Sequence, residues 1–149
     1  MAPTVAVSEL LTETQLALQD FDYYEIHEAF AAQVLATLKA WESEDYCRNR
    51  LGRDGPLGSI DRAKLNVKGS SIAFGHPFAA TGGRILAVLA KLLHRQDGQR
   101  GLISVCTAGG MGVAAILESV DAGQAPKPAG QSGKTKTTSA PKKRSRTKS

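Results

Sequence analysis

The chain has 149 residues, 42% apolar and 22% charged, with two cysteines and a formal charge of +5. That is the size and balance of one compact globular unit. A disulfide scaffold is excluded, because Cys47 and Cys106 lie far apart and nothing argues for secretion. A membrane span is excluded too: the longest apolar run, Ile85 to Leu93 broken by Lys91, falls well short of the roughly 20 residues a bilayer needs. Met1–Thr4 opens no basic-then-apolar signal peptide, so a reducing, cytoplasmic compartment is expected.

Residues 3–19 are predicted helical, with Pro3 near the first turn and Val7, Leu10, Leu11 and Leu18 on one side. Phe21–Ile26 is aromatic and β-branched and suits a strand. From Glu28 to Trp41, Phe30, Val34, Leu38 and Trp41 recur at helical spacing. Residues 42–68 are polar and Gly/Pro-punctuated and read as a long surface connection, with a short helix over 43–51. A further helix is expected from Gly82 to His94, with Thr81 as its N-cap and His94 serving the dipole at its end. Its middle, Ile85 to Ala90, is apolar nearly all round, so it needs cover on more than one side. Two strands, Gly101–Thr107 and Met111–Glu118, are joined by a tight turn at Ala108-Gly109-Gly110.

The class is therefore α/β: a layered mixed sheet with helices over residues 1–120, followed by a disordered basic tail over 121–149. Residues 126–149 hold eight Lys and Arg and no acid, leaving −3 on residues 1–125. The tail is either an electrostatic arm for nucleic acid, anionic lipid or an acidic partner, through Lys142, Lys143, Arg144 and Arg146, or a solvated terminus of no specific role. No aromatic is interleaved for base stacking, so nucleic-acid binding is expected to be weak at most. Three clear strands and two amphipathic helices barely cover an all-apolar helix, so the expectation is that the chain is incomplete or that this unit packs on a partner.

Chemistry could sit in three places. His27-Glu28-Ala29-Phe30 follows a strand, where open α/β sheets bind ligands. His27 could donate to an oxyanion with Glu28 orienting it; the alternative is a helix-entry histidine with Glu28 serving the dipole. In Gly75-His76-Pro77-Phe78-Ala79-Ala80-Thr81-Gly82-Gly83, Pro77 restricts the backbone of His76 and small residues let a ligand approach. That loop either positions an imidazole as base or donor or is a turn with a bystander histidine. It is not a Walker loop, since no Gly-Lys-Ser/Thr follows. Cys106-Thr107-Ala108-Gly109-Gly110 places a thiol at a strand end beside backbone N–H groups; the alternative is a cysteine acting as a small buried hydrophobe. No metal site is expected, because the two Cys and His27, His76 and His94 show no metal-binding spacing. Cys47 lies in the polar connection and looks like a bystander.

Taken in order, HEAFAAQ, GHPFAATGGR and CTAGGMG resemble the C-terminal half of the thiolase family, the acetyl-CoA acetyltransferases and 3-ketoacyl-CoA thiolases. The resemblance covers residues 3–119. His in place of the more usual Asn in the first motif is most similar to the branch that holds the β-subunit of the fatty-acid oxidation complex. It implies an α/β half with a mixed five-stranded sheet, and acyl transfer between an enzyme cysteine and coenzyme A, the latter a substrate, with no cofactor. It implies that His76 activates the nucleophilic thiol and helps hold a thioester oxygen. His27 takes the place of the Asn that fixes an oxyanion-hole water, and Cys106 is the acid/base. The backbone at Ala108 and Gly109 would serve a second oxyanion hole, Ala108 standing where the family often has Gly. Ala29 and Phe30 would line the pantetheine channel. The family's nucleophilic cysteine lies in its N-terminal half, so the expected partners are acyl-CoA, coenzyme A and a thiolase N-terminal half or subunit, with this chain inactive alone. The rival expectation is a non-catalytic binding or assembly module with a basic arm; a decayed gene product is a third.

Overall fold

The computed structural model describes residues 1–95 and 99–120. The tail expected at 121–149 lies outside the described residues. Three strands, β1 (Tyr23–Ile26), β2 (Arg100–Thr107) and β3 (Met111–Glu118), form one sheet in the order β1-β2-β3. β1 and β2 run parallel and β2 and β3 antiparallel, so the sheet is mixed, with three strands among the described residues rather than the five the resemblance implies.

Alternation along the strands divides the molecule into layers. Tyr24, Ile26 and Leu102 face one side, where Val7 and Leu11 of α1 (Ala2–Thr14), Val34, Leu38 and Trp41 of α2 (Ala31–Glu42) and Cys47 of α3 (Glu44–Leu51) complete the larger core. Tyr23, Ile103 and Val105 face the other, against Ile85, Leu89 and Leu93 of α5 (Thr81–Arg95). The bond from the His27 N–H to the Ser104 carbonyl, at 2.8 Å, extends the parallel ladder one residue beyond β1.

Several elements differ from expectation for identifiable reasons. The first helix stops at Thr14 because Gln15 turns left-handed at φ 57°, and the Leu16 N–H closes back on the Leu11 carbonyl. Leu18 still reaches the core, but from a turn. The second helix begins at Ala31, so His27 to Phe30 form the loop between β1 and α2. Thr81 is the first helical residue of α5 rather than its N-cap. The expected short helix at 43–51 is α3, capped by the Ser43 hydroxyl on the Tyr46 N–H. Cys47 is no surface bystander: it is fully buried, with its sulfur 3.5 Å from the Ala40 and Trp41 carbonyls. A four-residue helix, α4 (Ser71–Phe74), lies in a stretch where no element was expected.

The described residues do not cover helix α5 on both sides. It buries Thr81, Ile85, Leu89, Leu92 and Leu93, while Leu86 is half exposed and Gly82, Gly83, Ala87 and Ala90 face outward. No helix among the described residues is long and apolar enough to cross a membrane.

Candidate active site

The parallel strands β1 and β2 end at the same edge, and the three motifs gather there. The end of β1 is pinned by Asn66, which holds φ 48°. Its side chain accepts from the Ile26 N–H at 2.8 Å and donates to the Ile26 carbonyl at 2.9 Å. Its amide also donates to Glu28 at 2.9 Å. Asn66 thus continues, through its side chain, the parallel backbone bridge that Leu65 makes to Tyr24 on the outer edge of β1, and it sets where His27 emerges.

His27 is buried, and its Nδ1 lies 2.7 Å from the Ser71 hydroxyl. Glu28, expected to orient His27, instead accepts from Asn66 and from the Ile72 N–H at 3.1 Å. The orienting group is Ser71, brought in by α4. Ser71 in turn accepts from Arg84 Nη2 at 3.1 Å. The Arg84 guanidinium sits over the Phe74 ring at 5.6 Å. Burial is the main cause that lowers the His27 pKa, with the neighbouring His76 and Arg84 acting the same way and Glu28 opposing more weakly.

His76 meets His27 with ring centroids 4.3 Å apart. Its Nδ1 is 2.7 Å from the Thr81 hydroxyl, at the start of α5. Phe78 packs edge-on against His76 at 5.1 Å. Between them and the helix, Ala79 holds φ 65°, a conformation that costs an L-residue roughly 1 kcal/mol. The loop that presents His76 is therefore held in a defined and slightly strained shape.

Cys106 leaves β2 on the opposite face from Ile103 and Val105, half buried, with its sulfur 3.8 Å from Gln33 Oε1 of α2. Gln33 is itself oriented by its own bond to Thr37 at 3.0 Å. The β2–β3 turn is the expected tight one, with φ 81° at Gly109 and 76° at Gly110. Ala108 needs no positive φ, so the side chain there is no obstacle to the turn. His76, Thr81, Cys106, Thr107 and Ala108 line one open cavity of about 500 Å³ with Phe78 and Val113. Gly109, Ala29 and Phe30 are not in its wall; Phe30 projects into solvent, 73% exposed. A second concavity, of about 560 Å³ beside Ala2, Tyr46 and Gly112, contains neither histidine nor cysteine and offers no comparable chemistry.

Below His27 on the α5 face lies Glu25, buried at 1% exposure with neither carboxylate oxygen hydrogen-bonded. Burial pushes its pKa up to about 7; Arg84 pulls it partly back and Glu28 adds to the rise. Asn66, Ser71, Arg84 and Glu25 were not among the expected site residues. Arg84 alone had a visible signal, as the one charge in the first half of α5. No group of three or more potential metal ligands occurs among the described residues.

The chain is 48% identical over 118 residues to the 3-ketoacyl-CoA thiolase of Pectobacterium atrosepticum, 47% to that of Alteromonas mediterranea and 45% to that of a Shewanella species. Each match covers 79% of this chain and 27% of the relative, so the chain spans about a quarter of the length of the curated relatives it matches. Residues 1–119 match the family described as thiolase, C-terminal domain, and the chain belongs to that family.

Proposed function

We propose that the chain supplies the C-terminal portion of a thiolase acyl-transfer site acting on 3-ketoacyl-CoA and coenzyme A. The observation that carries this reading is the convergence of a close imidazole pair, His27 and His76, with the cavity that His76 shares with the Cys106 thiol.

In the degradative direction, a nucleophilic thiolate attacks the 3-keto carbon of the substrate and the C2–C3 bond breaks. The electron pair passes to the acetyl-CoA enolate, and Cys106 delivers its proton to C2. The acyl group remains on the nucleophile as a thioester. The Cys106 thiolate then takes the proton of coenzyme A, whose sulfur attacks that thioester and releases acyl-CoA. His76 is the base that activates the nucleophile. With His27 it then serves the enolate oxygen, directly or through a held water. The Ala108 N–H faces the acyl-enzyme oxygen. Ala29 and Phe30 would contact pantetheine, and Gly109 shapes the turn. The nucleophile itself comes from a thiolase N-terminal half, on the same polypeptide or a separate one. Cys47 cannot serve, being sealed in the core.

The test is thiolysis of acetoacetyl-CoA by the full chain, alone and together with the N-terminal portion of a 3-ketoacyl-CoA thiolase. Turnover is expected only in the combination, and Cys106→Ala should reduce it by about 10²- to 10⁴-fold, the usual contribution of an acid/base group. Normal turnover by a combined Cys106→Ala variant sinks the acid/base role. Turnover by the chain alone that needs Cys106 would make Cys106 the nucleophile. Stable association without turnover would favour the assembly-module reading.

A further inference from the structure

The two histidines have different supports, and the donor–acceptor inventory of those supports is restrictive. Ser71 is buried, and its hydroxyl oxygen has two partners, Arg84 Nη2 at 3.1 Å and His27 Nδ1 at 2.7 Å. A guanidinium can only donate. The oxygen accepts from Arg84, and although it could accept a second time, its own buried proton would then have no acceptor among the described residues; donated to the Nδ1 lone pair of His27, it is satisfied. Thr81 is also buried, and its hydroxyl oxygen lies 3.2 Å from the Pro77 carbonyl and 2.7 Å from His76 Nδ1. A carbonyl can only accept. The Pro77 carbonyl also accepts from the N–H groups of Ala80 and Thr81; a Thr81 hydroxyl that bonds back to it, as helical threonines do to the carbonyl four residues earlier, leaves its oxygen to accept from Nδ1–H of His76.

We propose that Ser71 with Arg84, and Thr81 with the Pro77 carbonyl, hold His27 and His76 in opposite neutral tautomers, so that His27 carries its proton on Nε2 and His76 carries a lone pair there. This rests on the acyl-transfer reading for its use and not for its geometry. In that use, His27 is a hydrogen-bond donor from the outset. His76 begins as a base, takes the thiol proton on Nε2, and from then on the same nitrogen donates to the thioester oxygen. Opposite tautomers let two imidazoles 4.3 Å apart do different work without both being charged. Ser71, Arg84 and Thr81 are positioning residues, acting through the rings they hold. The Phe74 ring lies against the Arg84 guanidinium and helps keep it in place.

The experiment is long-range proton–nitrogen correlation NMR on the full chain, labelled with ¹⁵N at histidine, at pH 8. His94→Gln removes the third ring, and His27→Asn assigns the remaining two. The wild-type spectrum is expected to show His76 protonated on Nδ1 and His27 protonated on Nε2. Thr81→Val should switch His76 to the Nε2–H form without moving His27, and Thr81→Ser should restore it. Ser71→Ala and Arg84→Met should shift the His27 Nδ1 signal toward that of an unbonded ring nitrogen and leave His76 alone. The same tautomer on both rings in the wild type overturns the proposal, as does a His76 that stays protonated on Nδ1 in Thr81→Val. The wild-type spectrum decides even if a variant does not fold. No turnover is measured, so an inactive reconstituted enzyme would remove the acyl-transfer reading and leave the tautomers standing.

Discussion

The chain's two thiols have opposite environments. Cys47 has no solvent exposure and its sulfur contacts two main-chain carbonyls of α2, whereas Cys106 is half exposed beside the cavity. Thiol alkylation needs access as well as thiolate, so the native chain should take one equivalent of iodoacetamide, at Cys106, with Cys47 labelled only after denaturation. Peptide mass spectrometry reads this directly, and equal labelling of the two would contradict the buried position of α3. The sequence around Cys47 is polar, Asp45 to Asn49, and for that reason reads as surface. What decides its burial is helical phase: on the short helix α3 Cys47 points at Trp41 while its charged neighbours point outward. An eight-residue helix with one buried position carries too few apolar residues for periodicity to show.

At the level of elements, the long periodic segments were legible: α2, α5, β2, β3 and the glycine turn lie where hydrophobic spacing and turn chemistry put them, within a few residues at each end. The supports of the site were not. Ser71 belongs to a single helical turn that no spacing could signal, and Glu25 sits in a strand whose aromatic neighbours mark it as core. That burial has a measurable sign. The Glu25 pKa rises from an ordinary 4.5 to about 7 in the fold, so between those values the folded chain keeps a proton that the unfolded chain releases. Stability contributed by the protonated carboxyl is complete below pH 4.5 and is lost as pH rises through 7, by roughly 3 kcal/mol at about 1.4 kcal/mol per pH unit. Glu25→Gln should match the wild type in urea unfolding near pH 4.5 and exceed it at pH 8 by that order; equal midpoints at pH 8 would refute the burial effect. His27 runs the other way. Its lowered pKa makes the fold lose stability as pH drops below 6.5, and His27→Asn should remove that loss. A third element-level contact is steric. A Cβ on Gly112 would stand 2.7 Å from the Ala2 carbonyl carbon and oxygen, where α1 crosses β3 opposite Cys106. Backbone cannot yield as a side-chain tip can, so Gly112→Ala should lower stability by ~1–3 kcal/mol, read as a lower midpoint in urea unfolding.

On the scale of the whole molecule, the unfinished surface is the outward side of α5. The apolar run from Ile85 to Ala90 predicted a helix covered all round, and the described residues cover only the side facing the sheet. Leu86 at 50% exposure, Phe78 at 86% and Val113 at 53% remain open, flanked by Gly82, Gly83, Ala87 and Ala90, whose small side chains would let another backbone come close. Exposed apolar residues of this kind mark an interface, and on the proposed function its occupant is the thiolase N-terminal half. The isolated chain should therefore self-associate with rising concentration in sedimentation velocity. Leu86→Lys should keep it monomeric and change stability by no more than ~0.5 kcal/mol, because that side chain is already half in water. The same substitution should prevent assembly with the N-terminal half, since a lysine charge buried there without a partner opposes docking. A wild-type chain that stays monomeric at all concentrations, together with a Leu86→Lys variant that assembles and turns over normally, would show that α5 meets its partner through another face.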